Sequence, residues 1–167
     1  MNIQLPDSLK GWTAFVDGFG QAGVSAGGKL PVIKFKTDEH KDGGMDAPED
    51  IALGMEKLEW ELTLNKLSPI ALKTVGRPDV PITLRGSMED EAGNKKPVVA
   101  QLRTPVFEVD KGEWGEAKKV ELKLKGTATY YRLTIGGEEI YEIDTRGLVR
   151  RIGGVDQLAQ RRANLGL

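Results

Sequence analysis

Apolar and polar residues alternate with a period of two along much of this chain. Between Glu56 and Leu64, residues Leu58, Trp60, Leu62 and Leu64 fall on one face and Lys57, Glu59, Glu61 and Thr63 on the other. That is the pattern of a half-buried strand. The alternation returns after Pro78, where Val80, Ile82, Leu84 and Met88 oppose Thr83, Arg85 and Ser87. It returns again after Lys118, where Val120, Leu122 and Leu124 oppose Lys119, Glu121, Lys123 and Lys125. Trp12 to Val16 predicts a short strand closed by an Asp17-Gly18 turn, with another strand after Gly23. Leu30 to Lys36 predicts a further strand that carries Pro31 near its start. Val98 to Val109 reads as one return strand after a hairpin loop centred on Ala92-Gly93-Asn94. Lys118 to Ile135 reads as one long β segment. Gly126 marks a bulge or bend in it, because the apolar register slips there by one residue toward Tyr131, Leu133 and Ile135. Gly136-Gly137 predicts a two-residue hairpin into Glu138 to Asp144, and Leu148 to Ile152 a last short strand.

Two helices interrupt the strands. Ser68 suits an N-cap, Pro69 the first helical position and Gly76 the C′ position, with Ile70, Leu72 and Val75 placed to dock on a sheet. Asp156 is positioned to cap a C-terminal helix that Gly166 ends. The stretch Thr37 to Asp50 breaks all periodicity. It holds Gly43-Gly44, Pro48 and a dense set of charges, and long unpatterned loops in compact domains are commonly functional or disordered.

Length and composition narrow the class. The chain has 167 residues, enough for one domain with its own core. Glycine is abundant, 21 residues, and aromatics form only 6%, which favours a turn-rich, mainly β domain. No stretch approaches the ~20 apolar residues of a membrane helix. The first ten residues are mixed polar, without the pattern of a secretory leader, so synthesis in the cytoplasm is expected. There is no cysteine and one histidine, His40. Disulfides, Cys-ligated metals, thiol nucleophiles and His-rich metal centres are therefore excluded.

Catalytic chemistry finds little to rest on. No GxSxG, Walker A or GxGxxG motif occurs. His40 lies in a charged loop and reads as a solvated side chain. Asp42, Asp46, Glu49 and Asp50 supply oxygen ligands but lack EF-hand spacing. Tyr130 and Tyr131, adjacent on a strand, point to opposite faces and cannot form one stacking platform. No cofactor is expected. A carbohydrate- or peptide-binding sandwich would need clustered exposed aromatics, and most of the ten present sit at core-like positions.

Charge placement says more. The sum is 24 bases against 25 acids, a formal −1, which argues against a strongly basic nucleic-acid binder. The segment Asp38 to Asp50 nevertheless carries six acids and one base, while Arg146 to Arg162 carries five bases and one acid. The second segment ends in a small amphipathic helix with Val155, Leu158 and Leu165 near one face. Two oppositely charged segments can join copies head to tail, and such contacts make rings or filaments.

Particular residues then resemble a known family. Tyr130-Tyr131-Arg132-Leu133-Thr134 leads into the Gly136-Gly137 hairpin and Tyr141-Glu142-Ile143-Asp144. Gly154-Val155-Asp156-Gln157-Leu158, Arg161-Arg162 and Asn164-Leu165-Gly166-Leu167 come next in order. Gly43-Gly44-Met45-Asp46-Ala47-Pro48 with Leu53-Gly54, and Phe15-Val16-Asp17-Gly18 with Leu30-Pro31, complete the set. Together these resemble the major tail tube protein of contractile-tailed bacteriophages and of R-type pyocins.

The resemblance implies a β-sandwich or split-barrel subunit, residues 1–167, with one docking helix and a short C-terminal helix. Six subunits would form a ring, the rings would stack into a hollow tube, and strands would join around the axis into one inner β-barrel. It implies an N-terminal arm (1–11), a long inter-ring loop (37–51) and a C-terminal assembly segment (152–167). The assembly residues would be Asp42, Gly43, Gly44, Met45, Asp46, Ala47 and Pro48 in the loop, with Arg150, Arg151, Val155, Asp156, Leu158, Arg161 and Arg162 in the tail. Sheath, tape-measure, baseplate and tail-terminator proteins are the implied partners, and the virion tail tube the implied location, with DNA crossing the lumen unread. Glu59 and Glu61 are the expected lumen-facing residues and the lysine-rich strand after Lys118 is expected to face partly outward, since a channel for DNA should not hold phosphates tightly. The tube of a related injection or secretion system is the alternative.

Overall fold

The computed structural model describes residues 3–167. Fourteen strands and two helices succeed one another along the chain: β1 (Asp7–Val16), β2 (Phe19–Gly20), β3 (Ser25–Lys29), β4 (Phe35–His40), β5 (Glu49–Met55), β6 (Leu58–Leu64), α1 (Pro69–Leu72), β7 (Val80–Asp90), β8 (Lys95–Thr104), β9 (Glu108–Asp110), β10 (Leu122–Ala128), β11 (Tyr130–Ile135), β12 (Glu138–Asp144), β13 (Val149–Ile152), β14 (Val155–Asp156) and α2 (Ala159–Leu165). Among the described residues they form an eight-stranded antiparallel sheet, β14-β13-β12-β11-β8-β7-β1-β2, a four-stranded sheet, β3-β6-β10-β9, and a separate β4-β5 hairpin.

The two sheets face each other over one core. From the small sheet come Leu58, Trp60, Leu62, Leu64, Leu122, Leu124 and Ala128, and from the large one Ala14, Val16, Val80, Ile82, Ala100, Leu102, Tyr131 and Ile143. The alternation read in β6 and β7 is thus the alternation between core and outer face. On the large sheet the register lines up Val16, Ile82, Leu102, Tyr131, Ile143 and Arg150 in one row across six strands. Burial pushes the Tyr131 hydroxyl up to about 12, and its ring lies 6.4 Å from that of Tyr141.

Several sequence-based expectations change. Val98 to Val109 is not one strand: β8 ends at Thr104, and after Pro105 the chain crosses to the other sheet as β9. Lys118 to Ile135 is divided in the same way. β10 begins only at Leu122, and at Thr129 the chain leaves the small sheet for β11 in the large one. The slip in apolar register records this change of sheet and not a bulge at Gly126, which pairs regularly with Trp60. Gly126 is required for another reason. A Cβ there would lie 2.3 Å from the Pro105 carbonyl oxygen and 3.0 Å from Trp60 Nε1.

The segment 37–51 is also not a loop but most of a hairpin, with Phe35 opposite Met55 and His40 opposite Glu49. It lacks a period because neither of its faces is buried by the sandwich. Residues 30–34, expected in a strand, have no regular structure. Residues Asp7 to Gly11 of the expected arm belong to β1, and Met1 and Asn2 lie outside the described residues. The α1 helix is a single turn, capped by Ser68 Oγ accepting from the Ala71 N–H, and ends at Lys73, before Gly76. Ala71 and Thr74 are its buried contacts, while Val75 is exposed. The turns at 91–94 and at Gly136-Gly137 form as expected.

Gly126→Ala should destabilise the subunit by about 1–3 kcal/mol through overpacking against backbone, whereas Gly11→Ala, with nothing within 4 Å of the added methyl, should be close to neutral. Urea unfolding of the two variants beside the parent measures the difference.

Candidate assembly surfaces

Three features are left over once the core is assigned. The first is the outer face of the four-stranded sheet. Antiparallel pairing sets Glu61 opposite Lys125, Glu59 opposite Thr127 and Thr63 opposite Lys123, so the acids of β6 and the lysines of β10 share one face. The expectation that the lysine-rich strand faces partly outward, apart from Glu59 and Glu61, does not hold for Lys123 and Lys125, which this register puts on the same face as those acids. Most charges on this face are paired: Lys57 Nζ to Glu59 at 2.8 Å, Lys125 to Glu61 at 3.8 Å, Lys34 to Glu56 at 3.9 Å and Lys123 to Glu121 at 4.0 Å. Lys29 on β3 and Glu108 and Asp110 on β9 share the face without an ion-pair partner among the described residues. The hydrogen bond from Lys57 holds the Glu59 carboxyl below its ordinary range and raises Lys57 in return. Val32 and Phe107 border a cleft of about 520 Å³ over the same face. Both edges of this sheet, β3 and β9, have a free side.

The second feature is the β4-β5 hairpin. Its turn holds Asp42, Gly43, Gly44, Met45, Asp46, Ala47 and Pro48, and is cross-linked by the Met45 N–H donating to the Asp42 carbonyl and the Asp42 N–H donating to Met45 Sδ. Asp42 takes a contact from His40 Nε2 at 3.1 Å. Among the described residues Asp38, Glu39, Asp46, Glu49 and Asp50 have no ion-pair partner. Ile51 and Leu53 are exposed on one side. A lone two-stranded hairpin is marginal in water, and its ties to the body are at its base: Met55 packs against the core, and the Phe35 ring lies under the Arg150 guanidinium at 4.9 Å.

The third is the C-terminal segment. Asp156 is not the helix N-cap, a position held by Leu158 without a side-chain bond. It organises the segment instead. Its Oδ1 accepts from the backbone N–H groups of Leu158 and Arg150, and its Oδ2 accepts from Arg162 at 2.6 Å, while Arg162 also donates to the Leu148 carbonyl. Arg151 pairs with Glu142 at 3.0 Å and with Glu139 at 3.7 Å. Three of the five tail arginines, Arg150, Arg151 and Arg162, thus have partners inside the subunit. Arg146 and Arg161 are exposed and have no ion-pair partner among the described residues. Gly166 ends α2 in the left-handed conformation, as expected. Val155 and Leu165 are exposed and Leu158 half-buried.

Sequence reading missed one surface, the loop between β9 and β10, which exposes Trp114. Its signal was an aromatic in a polar, glycine-containing stretch. This loop and the β4-β5 hairpin leave from opposite ends of β6, since Leu122 pairs with Leu64 whereas the hairpin enters β6 at Leu58.

The Arg162 hydrogen bond, with two backbone N–H groups, holds the Asp156 carboxyl at about 2 against an ordinary 3.8. The folded-state value lies below the unfolded one, so its stabilisation is complete above 3.8 and is lost as pH falls toward 2. The α2 amide shifts in NMR spectra should move toward random-coil values across that window. In Asp156→Asn they should already be displaced at neutral pH.

Comparison with known proteins agrees with this architecture. The family described as Phage tail tube protein FII matches residues 6–166. The tail tube protein of Escherichia phage P2 is 32% identical over 172 residues, covering 99% of this chain and all of that protein. The major tail tube protein of Serratia phage KSP20 is 24% identical over 155 residues, covering 91% of each. Two solved structures share the fold at low identity. The sheath/tube terminator of an extracellular contractile injection system, PVC, has a TM-score of 0.59 at 10% identity, covering 80% of this chain and 99% of that one. The tube-terminating cap of the anti-feeding prophage has a TM-score of 0.60 at 13% identity, covering 81% and 93%. A match across nearly the whole chain, carrying the same sandwich, places this chain in the phage tail tube protein family.

Proposed function

We propose that this chain builds the hollow inner tube of a contractile phage tail, as hexameric rings stacked along an axis and enclosed by a sheath. The role is structural, with no catalytic part. The observation that carries the reading is the four-stranded sheet, which has a charged outer face and two free edges. Free edges invite pairing with another chain. Joining β3 of one copy to β9 of the next around an axis removes both edges and closes a barrel. On the large sheet the terminal strands β2 and β14 have two residues each, and β2 covers only Phe15 and Val16 of β1.

In such a ring the face bearing Glu59 and Glu61 lines the lumen, and Lys123 and Lys125 accompany them. Pairing of Lys57, Lys123 and Lys125 with carboxylates, and the unpaired acids Glu108 and Asp110 beside Lys29, leave few free cations to release counterions from a passing phosphate backbone. DNA crosses the channel without sequence-specific contact. The β4-β5 hairpin, leaving along the strand direction, reaches the adjacent ring, and the C-terminal segment contacts a neighbour. Sheath, tape-measure, baseplate and tail-terminator proteins are the further partners, and assembly takes place in the host cytoplasm before the tube enters the virion. No helix among the described residues is long and apolar enough to cross a membrane. The shared fold with the PVC and anti-feeding prophage components favours a second reading of the same geometry, the tube of a related contractile injection system.

Negative-stain microscopy of purified protein across a range of concentrations should show hollow tubes, and their absence at every concentration would reject the reading. Deleting Gly43 to Pro48 should leave a folded subunit, by circular dichroism, that no longer stacks; long tubes from the deletion would remove the hairpin from the assembly mechanism.

A further inference from the structure

We propose that an apolar cleft between β1, β3, β7 and β8 receives the last turn of α2 from the next copy around the ring. This rests on the tube reading and names the contact that closes it. The cleft encloses about 370 Å³ and is walled by Leu9, Trp12, Leu30, Leu84 and Val98. Two local features create it. The register of β1 against β7 shifts between Leu9 and Gly11, and this bulge turns Leu9 to the same side as Trp12. Opposite them, β3 presents Gly27 and Gly28, which bring no side chain to fill the space. Leu9 is left 56% exposed beside a half-buried Trp12. An open apolar cleft of this kind marks a contact surface.

The occupant is identified by the apolar surface the subunit leaves uncovered elsewhere. On α2, Leu158, Arg162 and Leu165 succeed one another at helical spacing on one face. The first two are half-buried against the subunit's own β13-β14 region, where Arg162 bonds Asp156 and the Leu148 carbonyl. Leu165, one turn further on, is 61% exposed. This face of the helix therefore ends in a leucine that outruns the body supporting it.

The sheet order supplies the geometry. β14, with α2 directly after it, lies on one flank of the eight-stranded sheet, and β1-β2 on the other. Because β2 pairs only with Phe15 and Val16, β1 is itself the edge at Leu9, and β3 is the edge of the small sheet. The cleft opens on that flank. A ligand on one flank and its receptor on the other make a head-to-tail contact, which closes into a ring when the rotation permits. Of the further exposed apolar groups, Ile51 and Leu53 on the hairpin and Trp114 on its loop lie toward the two ends of β6, and Val32 and Phe107 lie on the outer face of the small sheet, whereas Val155, Leu165 and Leu167 cluster on the C-terminal segment at the flank opposite the cleft.

The chain has no cysteine, so a designed pair reports without background. Leu9→Cys combined with Leu165→Cys, both exposed in the subunit, should give a ladder of covalent oligomers when assembled tubes are oxidised and run on a non-reducing gel. Leu165→Cys with Trp114→Cys should give none. Tubes that form but show no Leu9–Leu165 ladder overturn the proposal, as does a ladder from Leu9→Cys with Leu53→Cys, which would seat the hairpin in the cleft. In addition, Leu165→Asp should raise the concentration needed for tubes about tenfold or more, the effect of ~1.4 kcal/mol at one contact, with unchanged thermal unfolding of the subunit. An unchanged assembly concentration also overturns it. Failure of the parent protein to form tubes strikes the tube reading instead, not the choice of contact.

Discussion

The architecture depends on one place where the chain twice changes sheets. β8 crosses at Pro105 to become β9, and β10 crosses at Thr129 to become β11. The crossings lie side by side and are bonded to each other's strands: the Phe107 N–H donates to the Lys125 carbonyl and the Thr129 N–H to the Arg103 carbonyl. Between them Trp60 Nε1 donates to Thr104 Oγ1 at 2.6 Å, and the same hydroxyl donates to the Pro105 carbonyl at 2.8 Å. A buried indole N–H is costly when unpaired, so this bond ties the small sheet to the large one at a fixed depth. Gly126 makes room for it. With the sheets fixed here, the inward row of each is committed to the core and the outward row to solvent or to a neighbour.

The subunit therefore has a complete core and an incomplete periphery. The β4-β5 hairpin contributes Phe35 and Met55 to the body and little else, and α2 has no buried residue. Neither element is explained by the stability of the single chain. Each costs backbone entropy to order, and under the proposed assembly burial against another copy would supply the compensation that the subunit itself does not provide. The same holds for β3 and β9, whose outer hydrogen-bonding groups face no strand of their own chain.

The strands with one buried face were legible in the sequence, because alternation and burial are the same fact in β6 and β7. Turns requiring positive φ, such as Gly136-Gly137 at +59° and +84°, were legible from glycine. Two kinds of information were not. A strand that changes sheets keeps its apolar content but shifts phase, and at Gly126 that shift mimics a bulge; only the pairing of β10 with β6 and of β11 with β8 separates the two. The hairpin β4-β5 was invisible because periodicity reports burial, and in the isolated chain this hairpin is not buried. The candidate surfaces divided similarly. The acidic turn at Asp42 to Pro48 stood out by composition, and the sequence placed Arg150, Arg151 and Arg162 in a basic tail, but it could not show that Phe35, Glu142 and Asp156 already engage them. Nor could it show that Leu9, beside a bulge, shares a face with Trp12.

The near-zero net charge acquires a physical meaning from this arrangement. In a polymer the charge per copy is multiplied by the number of copies, and a subunit far from neutrality would accumulate self-repulsion along the tube. A formal −1 avoids that. Neutrality reached by even mixing would, however, give copies no preferred orientation. Here most charges of the four-stranded sheet cancel locally, while among the described residues the hairpin keeps five carboxylates without ion-pair partners and the tail keeps Arg146 and Arg161 open. A run of like charge without partners thus stands on the projecting hairpin, where complementarity sets orientation and encounter more than affinity. Affinity has to come from apolar surface, and the exposed leucines of the hairpin and of α2 sit beside those charges. In the proposed tube, charge to orient and leucine to hold would then lie together on the two elements that add least to the subunit's own core.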